Sequence, residues 1–281
     1  MKRILTCSLT LAVLAAAPAW AQRKATIENV REIPYTSAST FLKPPPGEYL
    51  GESVAVATNS KGHVFVYHRS NNTRLFEFDQ NGNFVKEIGS GYYGFEFAHS
   101  VRVDKEDNIW TVDEGTDMLV KFSPTGQVLM TIGRREDPLG SLNNMPGQGV
   151  FHGRNEKYRF GRETDVAFDQ QGNIFVSDGY FDARVVKYDK NGRFVKAVGK
   201  QGRANLEFNT PHSIATDFQG NVYVGDRGNS RIQVFDSDLN PVRIISNVRA
   251  PWGICISPPN AQGQQFLYSA DAGSKIYKTD L

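Results

Sequence analysis

Long apolar runs are scarce in this chain. The most prominent one, residues 4–17, is too short to span a bilayer comfortably. It follows Lys2 and Arg3 and precedes Ala-Trp-Ala at residues 19–21, which has the small-residue pattern of a cleavage site. Residues 1–21 are therefore predicted to be a secretory signal peptide, and the protein is expected to be periplasmic or extracellular, without a membrane span.

Cysteine and excess charge are also scarce. The chain has two cysteines, Cys7 inside the predicted signal peptide and Cys255, so the exported form has one thiol and no intramolecular disulfide. Its 32 basic and 30 acidic residues become 30 and 30 once Lys2 and Arg3 are removed. A neutral chain argues against a nucleic-acid partner.

The sequence contains no nucleophile elbow, phosphate-binding loop or cysteine-pair metal motif, but it does contain an internal repeat. Each copy alternates apolar and polar residues with period two, which is the pattern of a β-strand. Between the first two strands of each well-matched copy stands Gly-His, Asp-Asn or Gly-Asn, pairs that supply the positive φ of a tight hairpin. The copies begin at Ala55, Ser100, Asp165, Ser213 and Gly253.

The repeat predicts an all-β fold, because four strands in about 40–45 residues form one blade of a β-propeller. Residues 22–50 are an N-terminal lead-in segment, and residues 51–281 hold blades one to five of a six-bladed pattern. Blade five stops at Leu281, before a fourth strand, so the C-terminal blade is expected to be missing. A truncated reading frame is the favoured explanation. The alternatives are a five-bladed ring closed by the N-terminal strand, and assembly with another chain.

Two histidines occupy matching positions at the expected mouth of the central channel. The five matched positions are Val54, His99, Thr164, His212 and Trp252. Alternate blades of a six-bladed ring are related by near three-fold symmetry, so a histidine from blade six would complete a three-imidazole site. Three protein ligands and an open position are typical of catalytic zinc, and copper or iron also accept imidazole. The alternative is that both histidines pack in the channel and bond to backbone carbonyls.

A second set of candidates follows the second strand of each blade, on the rim of the same face. Arg69 and Arg227 could clamp a carboxylate, because a guanidinium presents paired donors in a fixed plane. Tyr180 could act as a general base only where nearby cations lower its pKa. The alternative is that this rim, with Asp113 and Asp178, consists of turn residues that cap the blades.

The repeats resemble NHL-type propeller repeats, and four stretches are similar to the peptidyl-α-hydroxyglycine α-amidating lyases. These stretches are residues 56–69, ending in Tyr-His-Arg; 98–101, Ala-His-Ser-Val; 164–180, with Thr-Asp-Val and Val-Ser-Asp-Gly-Tyr; and 211–231, with Pro-His-Ser-Ile and Asp-Arg-Gly-Asn-Ser-Arg. The resemblance implies cleavage of a C-terminal α-hydroxyglycine to a peptide amide and glyoxylate, with a three-histidine zinc and a structural calcium.

The resemblance also implies roles for particular residues. These are His99 and His212 as zinc ligands, the main-chain carbonyls of Val56 and Val101 as calcium ligands, Arg69, Tyr180 and Arg227 as substrate contacts, and Tyr180 as the base. The family's third zinc histidine and its calcium aspartate come from the last blade, which this chain lacks. The substrate would be a small peptide or another carboxylate. The rival hypotheses are a non-enzymatic propeller that binds a peptide, glycan or protein, and another propeller lyase or lactonase.

Overall fold

A computed structural model describes residues 36–69, 72–135, 156–273 and 275–281. The predicted signal peptide, residues 1–21, and the first part of the lead-in segment, residues 22–35, lie outside the described residues. Within the described ranges, no helix has the length and apolar character needed to cross a membrane.

The described residues form five antiparallel sheets, each with its strands in sequence order, and one 3₁₀ turn at Arg227–Asn229. Blade one is β1 Glu52–Thr58, β2 Val64–Arg69, β3 Thr73–Phe78 and β4 Phe84–Ile88. Blade two is β5 Ala98–Val103, β6 Ile109–Asp113, β7 Met118–Phe122 and β8 Val128–Gly133. Blade three is β9 Glu163–Phe168, β10 Ile174–Asp178, β11 Arg184–Tyr188 and β12 Phe194–Val198. Blade four is β13 Pro211–Thr216, β14 Val222–Asp226, β15 Arg231–Phe235 and β16 Pro241–Ile245. Blade five is β17 Gly253–Ile256, β18 Phe266–Ala270 and β19 Ile276–Asp280.

The first strands of successive blades lie side by side, β1 against β5, β5 against β9, β9 against β13 and β13 against β17. The sheets are therefore arranged around an axis lined by their first strands, as in a β-propeller. The predicted fold class is confirmed, with five blades in the described residues. Matching positions of different blades meet at this axis, and this convergence positions the site.

The hairpins between the first and second strands explain the repeated residue pairs. The first residue of each pair has positive φ, 76° at Gly62, 62° at Asp107, 83° at Gly172 and 89° at Gly220. A side chain at the start of the turn, Asn59 in blade one and an aspartate in blades two to four, adds a second restraint. In blade two, Asp104 accepts the backbone N–H groups of residues 106 and 108. The turn is thus fixed by backbone conformation and by a side-chain cap together.

The core consists of aromatic and aliphatic side chains between adjacent blades. Matching residues Phe65, Trp110, Phe175 and Tyr223 on the second strands are buried against the following blade. Their counterpart in blade five, Tyr268, is only half-buried and lines a cavity. The face of blade five that points away from blade four is therefore less covered than the matching faces of blades one to four.

The described part of the lead-in segment covers the outer face of blade one. Leu42 and Leu50 pack against the cluster that contains Val66 and Phe76. Lys43 forms a backbone bridge to the turn between β3 and β4. The packing of Leu42 and Leu50 buries apolar surface on the side of blade one that faces away from blade two.

Candidate functional site

The two channel histidines come together at one end of the axis. His99 lies on β5 and His212 lies on β13, and the centroids of their rings are 4.8 Å apart. Both are the second residue of their strand, next to a register shift in the pairing with the following strand. The matched register of blades two and four therefore brings two residues that are distant in sequence into contact, as the repeat predicted.

Backbone carbonyls fix the orientation of both imidazoles. The Nδ1 atom of His99 lies 2.6 Å from the carbonyl oxygen of Thr164, and that of His212 lies 2.7 Å from the carbonyl oxygen of Trp252. A carbonyl oxygen can only accept, so each Nδ1 carries the hydrogen. Each Nε2 then presents a lone pair, which is the arrangement of a metal-binding histidine held by a backbone carbonyl.

The phenol of Tyr180 lies at the point where the two lone pairs converge. Its oxygen is 3.2 Å from Nε2 of His99 and 3.1 Å from Nε2 of His212. One hydroxyl has one hydrogen and can donate it to one nitrogen at a time. The other lone pair then receives no proton from this phenol, and it faces the centre of the site as a possible metal ligand.

Burial keeps all three of these groups neutral. It lowers the pKa of His99 to about 4, against the opposing hydrogen bond to Thr164. It also lowers the pKa of His212 to about 3, with further contributions from His99 and Arg227. The pKa of Tyr180 is raised, because burial and the charge of Glu114 outweigh the arginines. At neutral pH the site therefore presents two uncharged imidazoles and a protonated phenol.

Arg69 is tied to acidic and aromatic neighbours. Its guanidinium lies 3.7 Å from the ring centroid of Phe97 and donates to Glu52 at 3.0 Å and to Glu114 at 3.3 Å. It also donates to the carbonyl oxygen of Ala98. Much of its donor capacity is therefore used within the protein, which weakens the expectation that Arg69 is a free carboxylate clamp.

Arg227 has a different environment. Its guanidinium lies 4.3 Å from the ring centroid of Trp252 and 5.5 Å from that of Tyr180, with a hydrogen bond between the Arg227 and Tyr180 side chains. Across the described ranges it forms no salt bridge with a carboxylate. Of the two candidate arginines, Arg227 is the one whose charge remains available to an anionic ligand beside Tyr180.

The rim aspartates have a structural role. Asp113, Asp178 and Asp226 are fully buried at the ends of β6, β10 and β14. Each accepts backbone N–H groups from the loop that leads into its own blade, as Asp178 does from Gly161 at 2.7 Å. They hold these loops in place, so the capping interpretation is correct for the aspartates, although they are buried rather than solvated.

A cavity of about 550 Å³, whose lining includes His99 and His212, occupies the channel and extends between blades one and five. The polar residues that line the cavity include Arg102, which donates a hydrogen bond to Asp165 at 2.8 Å. The apolar residues of the lining belong chiefly to β1, β17, β18 and β19. Val56 and Val101, the residues implied for calcium through their carbonyls, both line it, on β1 and β5.

The side chains at the site supply two of the donors that a zinc ion needs. Within the described ranges, no group of three His, Cys, Asp or Glu side chains is arranged to hold a metal ion. Two ligands do fit, because the Nε2 lone pairs of His99 and His212 converge and their Nδ1 hydrogens are fixed by carbonyls. The chemistry of these two donors suits zinc, and the tetrahedral set is incomplete with them alone.

Sequence reasoning missed Glu114 and Phe97. Glu114 follows Asp113 in blade two as Arg227 follows Asp226 in blade four, so the repeat register contained the signal. Phe97 precedes the Ala-His-Ser-Val stretch, and its ring is covered by the Arg69 guanidinium. Both residues modify the electrostatics of the rim.

Comparisons with known proteins agree with this architecture. The NHL repeat family model matches residues 208–235. A solved streptogramin B lyase is 14% identical, with a TM-score of 0.54 and coverage of 82% of this chain and 69% of that one. The nidogen/laminin complex contains a chain that is 13% identical, with a TM-score of 0.57 and coverage of 82% and 76%. The chain is therefore a β-propeller, and one segment of it matches the NHL repeat.

Within that class it resembles the peptidyl-α-hydroxyglycine α-amidating lyases over most of its length. A probable lyase of Caenorhabditis elegans is 26% identical over 247 residues, 79% of this chain and 65% of the relative. The peptidylglycine alpha-amidating monooxygenase of Rattus norvegicus is 28% identical over 223 residues, 69% of this chain and 22% of the relative. NHL repeat-containing protein 3 of Homo sapiens is 26% identical, covering 69% and 54%. The chain thus spans less than two thirds of the length of these relatives.

Proposed function

We propose that this protein is an exported lyase that cleaves the C–N bond of a peptidyl-α-hydroxyglycine, with the assistance of zinc. The observation that carries the proposal is the convergence of two Nε2 lone pairs on the oxygen of Tyr180. The likeness to amidating lyases over 79% of the chain supports the same substrate class. The products would be a peptide amide and glyoxylate.

In the proposed chemistry, His99 and His212 would hold zinc through Nε2, and the main-chain carbonyls of Val56 and Val101 would hold a structural calcium. Zinc, when bound, supplies Lewis-acid activation of the substrate hydroxyl. The carbon–nitrogen bond breaks, the hydroxyl carbon becomes the aldehyde of glyoxylate, and the amide nitrogen leaves with a proton. No oxidant is needed, since the hydroxyglycine carbon already has the oxidation state of the aldehyde.

Tyr180 has the proton-transfer role in this scheme. Its oxygen is within hydrogen-bond distance of both imidazoles, so a hydroxyl group bound between them lies within its reach. The raised pKa means that Tyr180 holds its proton at neutral pH until further positive charge lies beside it. Arg227 and Arg69 already act in that direction, and Arg227 is the residue available for the substrate carboxylate.

A second candidate function is a non-enzymatic propeller that binds a peptide, glycan or protein through the same face. Two observations favour it. NHL repeat-containing protein 3 has the same identity to this chain, 26%, as the Caenorhabditis elegans protein, over 69% of the chain against 79%. In addition, Arg69 is engaged by Glu52 and Glu114. Under this hypothesis the imidazole pair would be a packed and hydrogen-bonded part of the channel.

The experiment is a glyoxylate assay on the protein expressed from its full sequence, with and without added zinc, using an acetylated dipeptide extended by α-hydroxyglycine. The lyase hypothesis predicts zinc-dependent release of glyoxylate. Tyr180→Phe should lower kcat by about 10²- to 10⁴-fold, the usual contribution of a positioned proton-transfer group, without changing zinc content. Tyr49→Phe is the matched control, because Tyr49 is 82% exposed. Zinc binding without glyoxylate above the metal-free control would reject the lyase in favour of the binding module.

A further inference from the structure

Arg162 is a third arginine at the rim of the site, and it is exposed. It immediately precedes β9 and lies two residues before Thr164, whose carbonyl orients His99. Its carbonyl oxygen accepts the backbone N–H of Tyr180 at 3.4 Å, and its own N–H donates to Asp117 at 3.0 Å. The backbone of Arg162 is therefore fixed by hydrogen bonds on both sides, against the loop that carries the phenol.

The charges of Arg162 and Arg227 border the loop that carries Tyr180. The guanidinium of Arg162 lies 5.5 Å from the ring centroid of Phe181, the residue that follows Tyr180. The guanidinium of Arg227 lies 5.5 Å from the ring centroid of Tyr180 itself. Two cations, one from blade three and one from blade four, thus lie beside adjacent side chains of one loop at the mouth of the channel.

Both of these guanidinium groups have donors available for a ligand. In the part of the chain that the structure describes, neither Arg162 nor Arg227 forms a salt bridge with an Asp or Glu side chain. Arg69 differs, because it is paired with Glu52 and Glu114. Burial raises the pKa of Glu114, and the charges of Arg69 and Arg162 oppose that rise. Glu114 therefore interacts with Arg162 through space but gives its hydrogen bond to Arg69.

We infer that Arg162 is a specificity-determining residue that binds the side-chain carboxylate of an acidic residue, one or two positions before the hydroxyglycine of the peptide. The inference rests on the proposed function for the position of the terminal carboxylate on Arg227. Two residues of extended chain span at most about 7 Å, so an acidic residue at either position stays near the loop that both arginines border. A guanidinium matches a carboxylate through paired donors in one plane. The preferred substrates are then peptides with an acidic residue close to the C-terminus.

The exposure of Arg162 limits the expected size of this preference. An ion pair in contact with water contributes little to binding, whereas a bidentate guanidinium–carboxylate pair contributes more. The fixed backbone of Arg162 and the neighbouring ring of Phe181 both restrict the guanidinium before a ligand binds. We therefore expect an acidic peptide to bind about three- to tenfold more tightly than the same peptide with the matching amide.

The test uses glycine-terminated peptides, which lack the hydroxyl and are not cleaved, so binding is measured separately from catalysis. The probes are two isosteric pairs, acetyl-Ala-Asp-Gly with acetyl-Ala-Asn-Gly, and acetyl-Asp-Ala-Gly with acetyl-Asn-Ala-Gly, measured by calorimetry on the full chain. In at least one pair the Asp peptide should bind about three- to tenfold more tightly. Raising the salt from about 0.1 M to 1 M shortens the Debye length from about 10 Å to 3 Å, so the preference should shrink.

Variants assign the preference to Arg162. Arg162→Gln removes the charge but keeps a long polar side chain, and it should bring the Asp and Asn peptides to nearly equal affinity. Arg162→Lys should retain part of the preference, because the charge remains and the paired donors are lost. Arg227→Ala should weaken both members of each pair alike, since it removes the contact to the carboxylate that they share. Arg193→Gln is the control, an exposed arginine in the β11–β12 turn at the other end of blade three.

The outcomes separate this inference from the proposed function. Equal affinity within both pairs, tighter binding of the Asn peptides, or a preference that survives Arg162→Gln would overturn the role of Arg162, even if glyoxylate is released. An acidic preference that is lost in Arg162→Gln, in a protein that releases no glyoxylate, would support the role of Arg162 and reject the lyase. The same preference together with glyoxylate release supports both.

Discussion

His99 and His212 lie in contact, with ring centroids 4.8 Å apart, although they belong to blades two and four. Each ring is held by a backbone carbonyl of the blade that follows its own, from Thr164 and Trp252 respectively. The pair therefore depends on the register between blades, and residues that lock that register also support the site.

The two rim arginines are predicted to contribute unequally to ligand capture. Arg227→Ala should weaken binding of a carboxylate-terminated peptide by about 10- to 100-fold, because its charge has no carboxylate partner in the described structure. Arg69→Ala should weaken binding less and lower stability more, because it leaves the buried Glu114 without its Arg69 partner. Calorimetric titration and denaturant melting of both variants test this, and a larger binding loss in Arg69→Ala would contradict it.

Zinc affinity is a second test of the paired imidazoles. Two protein ligands leave a tetrahedral zinc short of donors, so the full chain should bind zinc weakly, with a Kd of about 1 µM or weaker. His99→Ala should abolish this binding. His63→Ala is the control, since His63 bonds to Glu77 in a turn remote from the site. Tight stoichiometric zinc that is lost in His99→Ala would reveal a third ligand supplied from elsewhere.

Much of this architecture could be predicted because the repeat is visible as a pattern. The alternation of apolar and polar residues predicted the strands, and the Gly-Asn-type pairs predicted the hairpins. The shared register of the blades predicted that His99 lies next to His212. The pattern could not reveal how each side chain is satisfied. Arg69 looked equivalent to Arg227, and only the packing of Glu114 against it shows that it is engaged. Buried partners of this kind come from non-local contacts that a repeat does not encode.

Asp165 is predicted to be essential for the register between blades. It is fully buried and accepts from Ser100 at 2.7 Å, from Arg102 at 2.8 Å and from the backbone of Ile214 at 3.1 Å, which joins blades two, three and four. Asp165→Asn should cost about 3–5 kcal/mol of unfolding free energy, as for other broken buried ion pairs. The exposed Asp280→Asn is the control.

The pH dependence of the Asp165 contribution follows from its pKa. Burial favours the neutral carboxyl, but Arg102 and the hydrogen bonds outweigh burial and lower the pKa. Its stabilising contribution is therefore present above the ordinary value and is lost as the pH falls through the folded-state pKa. Denaturant midpoints measured between pH 3 and 7 should fall toward acid in the wild type and change less in Asp165→Asn. Identical profiles would contradict the interblade role.

The contribution of Glu163 to stability should have the opposite pH dependence to that of Asp165. Both of its oxygens are buried without a hydrogen-bond partner in the described structure, and burial together with Asp117 raises its pKa well above 4.5. Its contribution to stability is full below pH 4.5 and is lost as the pH rises toward the folded-state pKa. Glu163→Gln should therefore stabilise the protein at pH 8 by about 1.4 kcal/mol or more, one pKa unit being worth that amount.

The control for Glu163 is the exposed Glu106→Gln. Denaturant unfolding at pH 5 and pH 8 is the measurement. Glu163→Gln should remove part of the loss of stability between the two values, and Glu106→Gln should leave it unchanged. A wild type that is equally stable at both values, or a Glu163→Gln variant that is less stable than the wild type at pH 8, would show that Glu163 has a partner.

The location of zinc tests the paired imidazoles most directly. Crystals of the full chain soaked with zinc, with diffraction data collected on both sides of the zinc absorption edge, give the metal position independently of activity. The account predicts an anomalous peak about 2.0–2.1 Å from Nε2 of both His99 and His212, the usual zinc–nitrogen distance, beside the oxygen of Tyr180. A zinc peak away from these imidazoles, or no peak between them at millimolar zinc, would contradict it.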